Sequence, residues 1–159
     1  MIDTSLKILI KDLNQHPEYI PLLADWHRKQ WSNSGHDRTA LISSRTGVGN
    51  IPKTFVAMCG GAPVGFVSLL VSNAPSRPDF TPWLASLFVK SEFRNAGIGK
   101  ALLQHCSDYA AEIGFSRIYL YTSTAVDYYK RLGWNQIDNF DIHGKSKIIL
   151  SRSCSKLHP

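Results

Sequence analysis

The feature that most constrains this chain is a glycine-containing loop between a strand and a long helix. Residues 87 to 89 are apolar and favour a strand, and the loop Arg94-Asn95-Ala96-Gly97-Ile98-Gly99 follows after a short connection. Apolar residues then recur at steps of three or four from Ile98 to Ile113, which predicts an amphipathic helix. The sequence therefore predicts an α/β unit whose strand leads, through the loop, to a helix N-terminus.

This strand, loop and helix together predict an anion-binding site. The first amides of a helix have no intrahelical partner, and the helix dipole adds positive charge there, so a phosphate is stabilised. Gly97 and Gly99 let the backbone approach such an anion without an intervening Cβ, and Arg94 and Lys100 add positive charge. A tight turn without any ligand would also favour glycines, so the spacing alone leaves that structural interpretation open.

Two other phosphate-binding loops do not fit the residues. A dinucleotide loop requires G-x-G-x-x-G, but Leu102 stands at the last glycine position. A nucleotide P-loop requires G-x-x-x-x-G-K-[ST], but Arg94 replaces its first glycine and Ala101 its Ser/Thr. Both classes are therefore excluded.

Hydrophobic periodicity predicts seven strands and four helices along the chain. The strands are predicted at residues 6 to 11, 53 to 59, 63 to 71, 83 to 90, 117 to 121, 134 to 140 and 145 to 151. The helices are predicted at residues 17 to 30, 37 to 45, 98 to 113 and 124 to 132. Three prolines make residues 73 to 82 an irregular loop, and residues 153 to 159 are expected to fray. This order predicts a mixed sheet with helices packed against it, in an α/β (α+β) fold.

Length and composition limit the class of protein. A chain of 159 residues with 43% hydrophobic residues is expected to form one domain over residues 1–159. No apolar run could span a membrane, and the first residues lack the pattern of a signal peptide, so we expect a cytoplasmic protein. The three cysteines form no Cys-x-x-Cys pair, so we expect no metal site. The net charge of +6 comes from scattered residues, which argues against nucleic-acid binding and is compatible with an anionic small molecule.

Two motifs resemble the GNAT family of acetyltransferases. The strand at residues 83 to 89, followed by Arg94-Asn95-Ala96-Gly97-Ile98-Gly99, is similar to the family's Arg/Gln-x-x-Gly-x-Gly/Ala signature. A second stretch, Ala125-Val126-Asp127-Tyr128-Tyr129-Lys130-Arg131-Leu132-Gly133-Trp134, looks like the family's Tyr-Tyr-x-x-x-Gly-Phe segment. The resemblance covers residues 83 to 134 and implies a twisted mixed sheet of about seven strands flanked by about four helices.

The resemblance also implies a site for acetyl-CoA. By it, the backbone of the fourth strand pairs with the pantetheine amides, the loop holds the pyrophosphate, and two hydroxyls at the end of the next strand contact the cofactor. These cofactor-binding residues are Leu87, Phe88, Val89, Arg94, Asn95, Ala96, Gly97, Ile98, Gly99, Lys100, Thr122 and Ser123. Tyr129 matches the family tyrosine that protonates the departing thiolate as general acid. A core-filling role for Tyr129 is the structural alternative.

The general base is not fixed by the sequence. Many relatives carry Glu or Asp on the strand before the loop, but this strand has Ala85 and Ser86 there. We expect either a water relay held by Ser86 or a backbone carbonyl, or a side chain such as His27, His36 or Asp37. Each of these last three is also an ordinary surface residue by composition.

The resemblance implies an N-acetyltransferase that uses acetyl-CoA and a primary amine of a small molecule, a lysine or a protein amino terminus. Residues 16 to 32 resemble a segment of enzymes that acetylate acidic protein amino termini. The alternative is an inactive CoA-binding sensor or interaction module, favoured by the missing strand carboxylate. Many family members are dimers, so a homodimer is a further expectation.

Overall fold

The described part of the computed structural model comprises residues 7–31, 36–47 and 49–154. Here seven strands form one sheet in the order β1-β2-β3-β4-β5-β7-β6. They are β1 Ile8–Asp12, β2 Lys53–Cys59, β3 Ala62–Leu70, β4 Trp83–Val89, β5 Arg117–Thr122, β6 Asn135–Ile142 and β7 Lys145–Ser153. Neighbouring strands are antiparallel except β4 and β5, which are parallel. The predicted mixed sheet is thereby confirmed.

Four α-helices accompany this sheet within the described residues. They are α1 Ile20–Trp31, α2 Thr39–Ser43, α3 Ile98–Glu112 and α4 Val126–Arg131. Pro17 opens a short 3-10 turn and Pro21 lies in the first turn of α1, where a missing N–H costs no helical hydrogen bond. No helix in the described ranges is long and apolar enough to cross a membrane.

Strands β2 and β3 pack against helices on both faces of the sheet. Successive side chains of a strand point to opposite faces, so Phe55 packs with α3 while its neighbour Val56 packs with α1. Of the apolar stripe that the sequence predicted for α3, Ile98, Leu102 and Cys106 are buried, and Ala110 is buried beside them. On the other face, Leu23 and Ala24 of α1 meet β2 and β3. The fold therefore places α3 and α1 on opposite sides of the sheet.

The sheet opens between its two parallel strands. Among the described residues, β4 and β5 are in register only at Trp83 and Tyr119, so the strands separate beyond that pair. β4 also carries an irregularity, where the register with β3 shifts between Phe66 and Ser68 and Ser86 adopts a positive φ of 59°. The opening lies at the carboxyl end of β4, beside the loop that leads to α3.

The end of the chain differs from its prediction. Residues 153 to 159 were expected to fray, but Ser153 is the last residue of β7 and Cys154 is only 4% exposed. The Cys154 amide donates to the Ser116 carbonyl at 2.9 Å, and its thiol donates to the Phe115 carbonyl at 3.3 Å. The prediction was wrong for these two residues. Residues 155–159 lie outside the described residues, as do Leu6, which the sequence predicted in the first strand, and the polar stretch 32–35.

Candidate active site

A cavity of about 410 Å³ lies against the loop that precedes α3; we call it the loop cavity. The sheet side is formed by the end of β4 and the helix side by the N-terminus of α3, with Tyr128 and Leu132 from the α4 region. The predicted cofactor residues that line it are Leu87, Phe88, Val89, Arg94, Asn95, Gly97, Ile98, Gly99 and Lys100. Ala96 is not among its lining residues.

The N-terminus of α3 presents free amides to this cavity. The first amide with a helical acceptor is that of Ala101, which donates to the Gly97 carbonyl at 3.0 Å. The amides of residues 98 to 100 precede it and have no intrahelical partner. No side chain caps the helix. The helix therefore begins with several free donors and a positive dipole end, as an anion site requires.

The two loop glycines serve different purposes. Gly97 has a φ of +83°, which favours glycine, and an added Cβ there would meet no protein atom within 4 Å. Gly99 instead lies against a neighbour, because an added Cβ would stand 2.7 Å from the Tyr128 hydroxyl. Gly97 thus leaves open space beside the loop, while Gly99 makes room for a phenol.

The two predicted cations flank the loop and are exposed. Arg94 is partly held, because its Nε donates to the Val89 carbonyl at 2.9 Å and its guanidinium carbon lies 6.0 Å from the centre of the Phe88 ring. This arrangement leaves the terminal guanidinium nitrogens of Arg94 available to an anion. Lys100, in the first turn of α3, also lines the loop cavity.

A second cavity of about 470 Å³, which we call the inner cavity, shares Gln30 and Leu87 with the loop cavity. Tyr129 lines it from α4, and its ring packs against those of Tyr128 and Trp134, with centroids 5.1 and 6.0 Å away. Burial, and then the neighbouring Tyr128, raise the pKa of Tyr129 to about 12. This phenol therefore keeps its proton at neutral pH. It makes no hydrogen bond to another described residue.

The two hydroxyls predicted at the end of β5 are placed differently from each other. Thr122 lines the inner cavity, but its oxygen accepts hydrogen bonds from the amides of Thr124 at 3.3 Å and Ala125 at 3.0 Å. It thereby stabilises the turn before α4. Ser123 is exposed, lines neither cavity and lies 3.5 Å from the Lys147 ammonium. Of this pair, only Thr122 lies where a ligand in the inner cavity would reach it.

The three side chains considered as general bases differ in burial and position. Asp37 is exposed and accepts hydrogen bonds from the Thr39 hydroxyl at 2.7 Å and amide at 2.9 Å, which lower its pKa. His36 is exposed and lines neither cavity. His27, in contrast, is only 8% exposed and lines the inner cavity, so its interpretation as a surface residue was wrong. Burial, followed by the charges of Arg45 and Arg38, lowers the pKa of His27 to about 4.

Sequence reasoning missed Arg45, which follows α2 and lines the inner cavity. Its side chain is almost entirely buried, and Nη1 donates to the Ser86 hydroxyl at 2.9 Å. The described residues that line the inner cavity include no Asp or Glu. An arginine near the end of a predicted helix usually faces solvent, so nothing in the local pattern marked it.

The comparisons with known proteins agree with this architecture. A model of the acetyltransferase (GNAT) family matches residues 17–134. The chain therefore belongs to this family.

Two relatives extend the likeness at the sequence level. An uncharacterized N-acetyltransferase of Methanocaldococcus jannaschii is 34% identical over 89 residues, or 52% of this chain and 38% of the relative. The human N-acetyltransferase 8B is 27% identical over 143 residues, or 82% of this chain and 61% of the relative. The chain thus spans less than two thirds of the length of either relative.

Solved structures share the fold along their whole length. An aminoglycoside 6'-N-acetyltransferase complexed with coenzyme A has a TM-score of 0.78 at 17% identity, over 95% of this chain and 99% of that structure. The ribosomal-protein-S18-alanine N-acetyltransferase from Escherichia coli has a TM-score of 0.68 at 20% identity, over 96% and 97%. At these identities the likeness concerns the fold, and the two neighbours differ in acceptor.

Proposed function

We propose that this protein transfers the acetyl group of acetyl-CoA to a primary amine. The observation that carries the proposal is the loop cavity, where free amides of α3 and the open space beside Gly97 lie at the end of a strand. An anionic ligand with an extended arm suits this arrangement, because the pyrophosphate would accept from the amides and the arm would follow the edge of β4. The family membership and the coenzyme A complex of a neighbour of the same fold support the same ligand.

The residues divide between binding and chemistry. In the proposal, Arg94, Asn95, Ala96, Gly97, Ile98, Gly99 and Lys100 surround the pyrophosphate, and the backbone of Leu87, Phe88 and Val89 pairs with the pantetheine amides. Thr122 remains a proposed contact of the acyl end, although its oxygen already accepts two amides. Ser123 would need to turn inward to contribute, since it lines neither cavity.

Tyr129 is the proposed general acid. The amine nitrogen forms a bond to the acetyl carbon, the carbon–sulfur bond breaks, and its electron pair goes to sulfur. The phenol of Tyr129, protonated because burial raises its pKa to about 12, donates to that sulfur. The amine loses one proton in the same reaction. A water held by Ser86, or the neutral imidazole of His27, is proposed to accept it, since both side chains line the inner cavity.

Binding and turnover are tested in one series. Coenzyme A and acetyl-CoA should raise the melting temperature, because a ligand that binds only the folded state stabilises it by mass action. Thiol release with a panel of amines and peptides then tests transfer. An unchanged melting temperature up to millimolar coenzyme A would refute the cofactor site.

A CoA-binding module without turnover is the second candidate. The observation that favours it is the absence of Asp and Glu from the described lining of the inner cavity. Such a protein would be stabilised by coenzyme A and would release no thiol above the background with any amine. Thiol release that depends on an amine would exclude it. Cytoplasmic location and a homodimer remain predictions beside either function.

A further inference from the structure

Arg45 carries a buried positive charge for which the described residues provide no counterion. Its exposed fraction is 9%, and its hydrogen bond to the Ser86 hydroxyl uses one of the five N–H donors of a guanidinium. The ion pairs in the described part of the chain all involve other residues. Burying a charge without a counterion costs free energy, so we expect an anionic ligand to bind beside this buried guanidinium.

The guanidinium of Arg45 lies at the inner cavity, because its Nη1 bonds to Ser86, which also lines this cavity. Buried polar atoms that lack both solvent contact and a hydrogen bond include Nε of the neighbouring Arg38 but no atom of Arg45. Among the described residues, only Nη1 of Arg45 has a hydrogen-bond partner, so these residues do not occupy Nε and Nη2. Arg45 lines the inner cavity and also a further cavity beside Pro52 and Val71. A guanidinium presented in this way can bind a carboxylate through two parallel hydrogen bonds.

The surroundings of the cavity strengthen this preference for an anion. The charges of Arg38 and Arg45 both act on His27, whose buried Nδ1 also has no hydrogen-bond partner. The remaining polar lining is neutral and includes Gln30 and Asn73. A polycationic amine would meet positive charge here without any compensating carboxylate, whereas an acceptor with a carboxylate would supply the missing partner.

We propose that Arg45 binds a carboxylate of the acceptor, so that the substrates are primary amines that also carry a carboxylate. This inference rests on the proposed acetyl transfer and names its substrate class. The carboxylate can be the α-carboxylate of a free amino acid or the acidic side chain of an amino-terminal residue of a peptide. The cavity of about 470 Å³ lies in the range of small-molecule sites, about 300 to 1,000 Å³.

Matched pairs of acceptors that differ only in the carboxylate test the proposal. Leucine is compared with leucinamide, and the amidated dipeptide Asp-Ala with the amidated dipeptide Asn-Ala, at saturating acetyl-CoA. In at least one pair, we expect kcat/KM to be tenfold or more higher for the member with the carboxylate. The pair that shows the preference identifies the source of the carboxylate. The amine of leucinamide is less basic than that of leucine, so the larger fraction of free amine favours the amide and cannot create the expected preference.

Substitutions of Arg45 assign the preference to this residue. Arg45→Gln should raise KM for the carboxylate acceptor at least tenfold and abolish the discrimination within the pair. Arg45→Lys should keep part of the discrimination because it keeps the charge. Arg28→Gln is the control, because it removes the same charge from the protein. Arg28 is ion-paired with Asp25 at 2.9 Å and lines neither cavity.

The failure of this inference can be distinguished from the failure of acetyl transfer. Thermal shifts of the wild type with leucine, leucinamide and the two dipeptides, with and without coenzyme A, report acceptor binding even if no thiol is released. Stabilisation by the carboxylate member alone, lost in Arg45→Gln, would support the role of Arg45 even in an inactive protein. Equal turnover or binding of acid and amide in every pair, an unchanged preference in a folded Arg45→Gln, or no response to either carboxylate would overturn it.

Discussion

Replacing Tyr129 with Phe removes a single hydroxyl from the inner cavity and tests the proposed proton donor. The ring contacts with Tyr128 and Trp134 do not require this hydroxyl, so Phe keeps most of the packing. We expect the free energy of unfolding to change by less than about 1.5 kcal/mol, as for other volume-conserving replacements. The affinity for acetyl-CoA should change little, because Tyr129 lines the inner cavity and not the loop cavity.

The expected loss of turnover follows from the pKa of the phenol. With a pKa of about 12, fewer than about one Tyr129 in a thousand is ionised at pH 9, so the donor form is present throughout the usual assay range. Complete transfer of this proton to a thiolate whose pKa is near 8.5 is uphill, so the catalytic gain lies at the lower end for general acids, about 10²-fold. A hydrogen bond to a charged group contributes about 1.5 to 3 kcal/mol, which agrees with this loss.

The assay compares the wild type, Tyr129→Phe and Tyr119→Phe. Tyr119 packs against Phe80 with a centroid distance of 4.6 Å and lines neither cavity, so its variant controls for the loss of a phenol hydroxyl. Calorimetry gives the affinity for acetyl-CoA, and thiol release gives kcat on the best amine. Turnover of Tyr129→Phe within threefold of the wild type would refute the assignment and leave water or another group as the acid.

Three further predictions concern the loop, the sheet and the buried histidine. Gly97→Val should weaken coenzyme A binding, measured by calorimetry, at least tenfold, or about 1.4 kcal/mol. Gly60 also has a positive φ and open space around an added Cβ, so Gly60→Val should suffer the same backbone strain and still bind coenzyme A normally. Equal affinities of the two variants would place the anion elsewhere. Gly65→Ala should destabilise the fold by about 1 to 3 kcal/mol in denaturant titrations, because its Cβ would meet a backbone carbonyl of β4 at 2.6 Å, whereas Gly49→Ala, with open space, should not. A stable Gly65→Ala would show that the strands can move apart at no cost. The pKa of His27 falls from 6.5 to about 4 on folding. Between these two pH values the unfolded state therefore binds more protons than the folded state. The free energy of unfolding should decrease as the pH falls from 6.5 to about 4. The decrease should reach at most about 3 kcal/mol and be absent from His27→Gln; parallel pH profiles of the two proteins would contradict it.

Sequence patterns predicted most of the secondary structure, because the spacing of apolar residues and the turn glycines that mark a helix or strand lie within a few residues of each other. The steps of three and four after Ile98 mark the buried side of α3, and Gly60 and Gly61, both at positive φ, join β2 to β3 as a tight connection requires. The end of the chain was predicted wrongly because its order depends on distant partners. Cys154 is held by the carbonyls of residues 115 and 116, which no pattern near Cys154 reveals.

The candidate site was predictable where it follows a motif and unpredictable where it depends on packing between distant segments. The loop from Arg94 to Lys100 was identified because glycine spacing and a helix start coincide in the sequence. His27 and Arg45 stand 18 positions apart and line one cavity because α1 and the segment after α2 both reach the open end of β4. Neither the depressed pKa of His27 nor the unpaired charge of Arg45 has a signature in local composition.

The gap between β4 and β5 lets the proposed co-substrate complete the sheet when it binds and open it again when it leaves. Beyond the pair Trp83 and Tyr119, the two parallel strands have edges that do not meet each other. A pantetheine arm inserted there would act as a temporary strand and link the two halves of the sheet. Hydrogen exchange at the amides of Leu87 and Val89 would then slow on binding of acetyl-CoA and recover on product release. The rigidity of the domain would thus rise and fall once in every catalytic cycle.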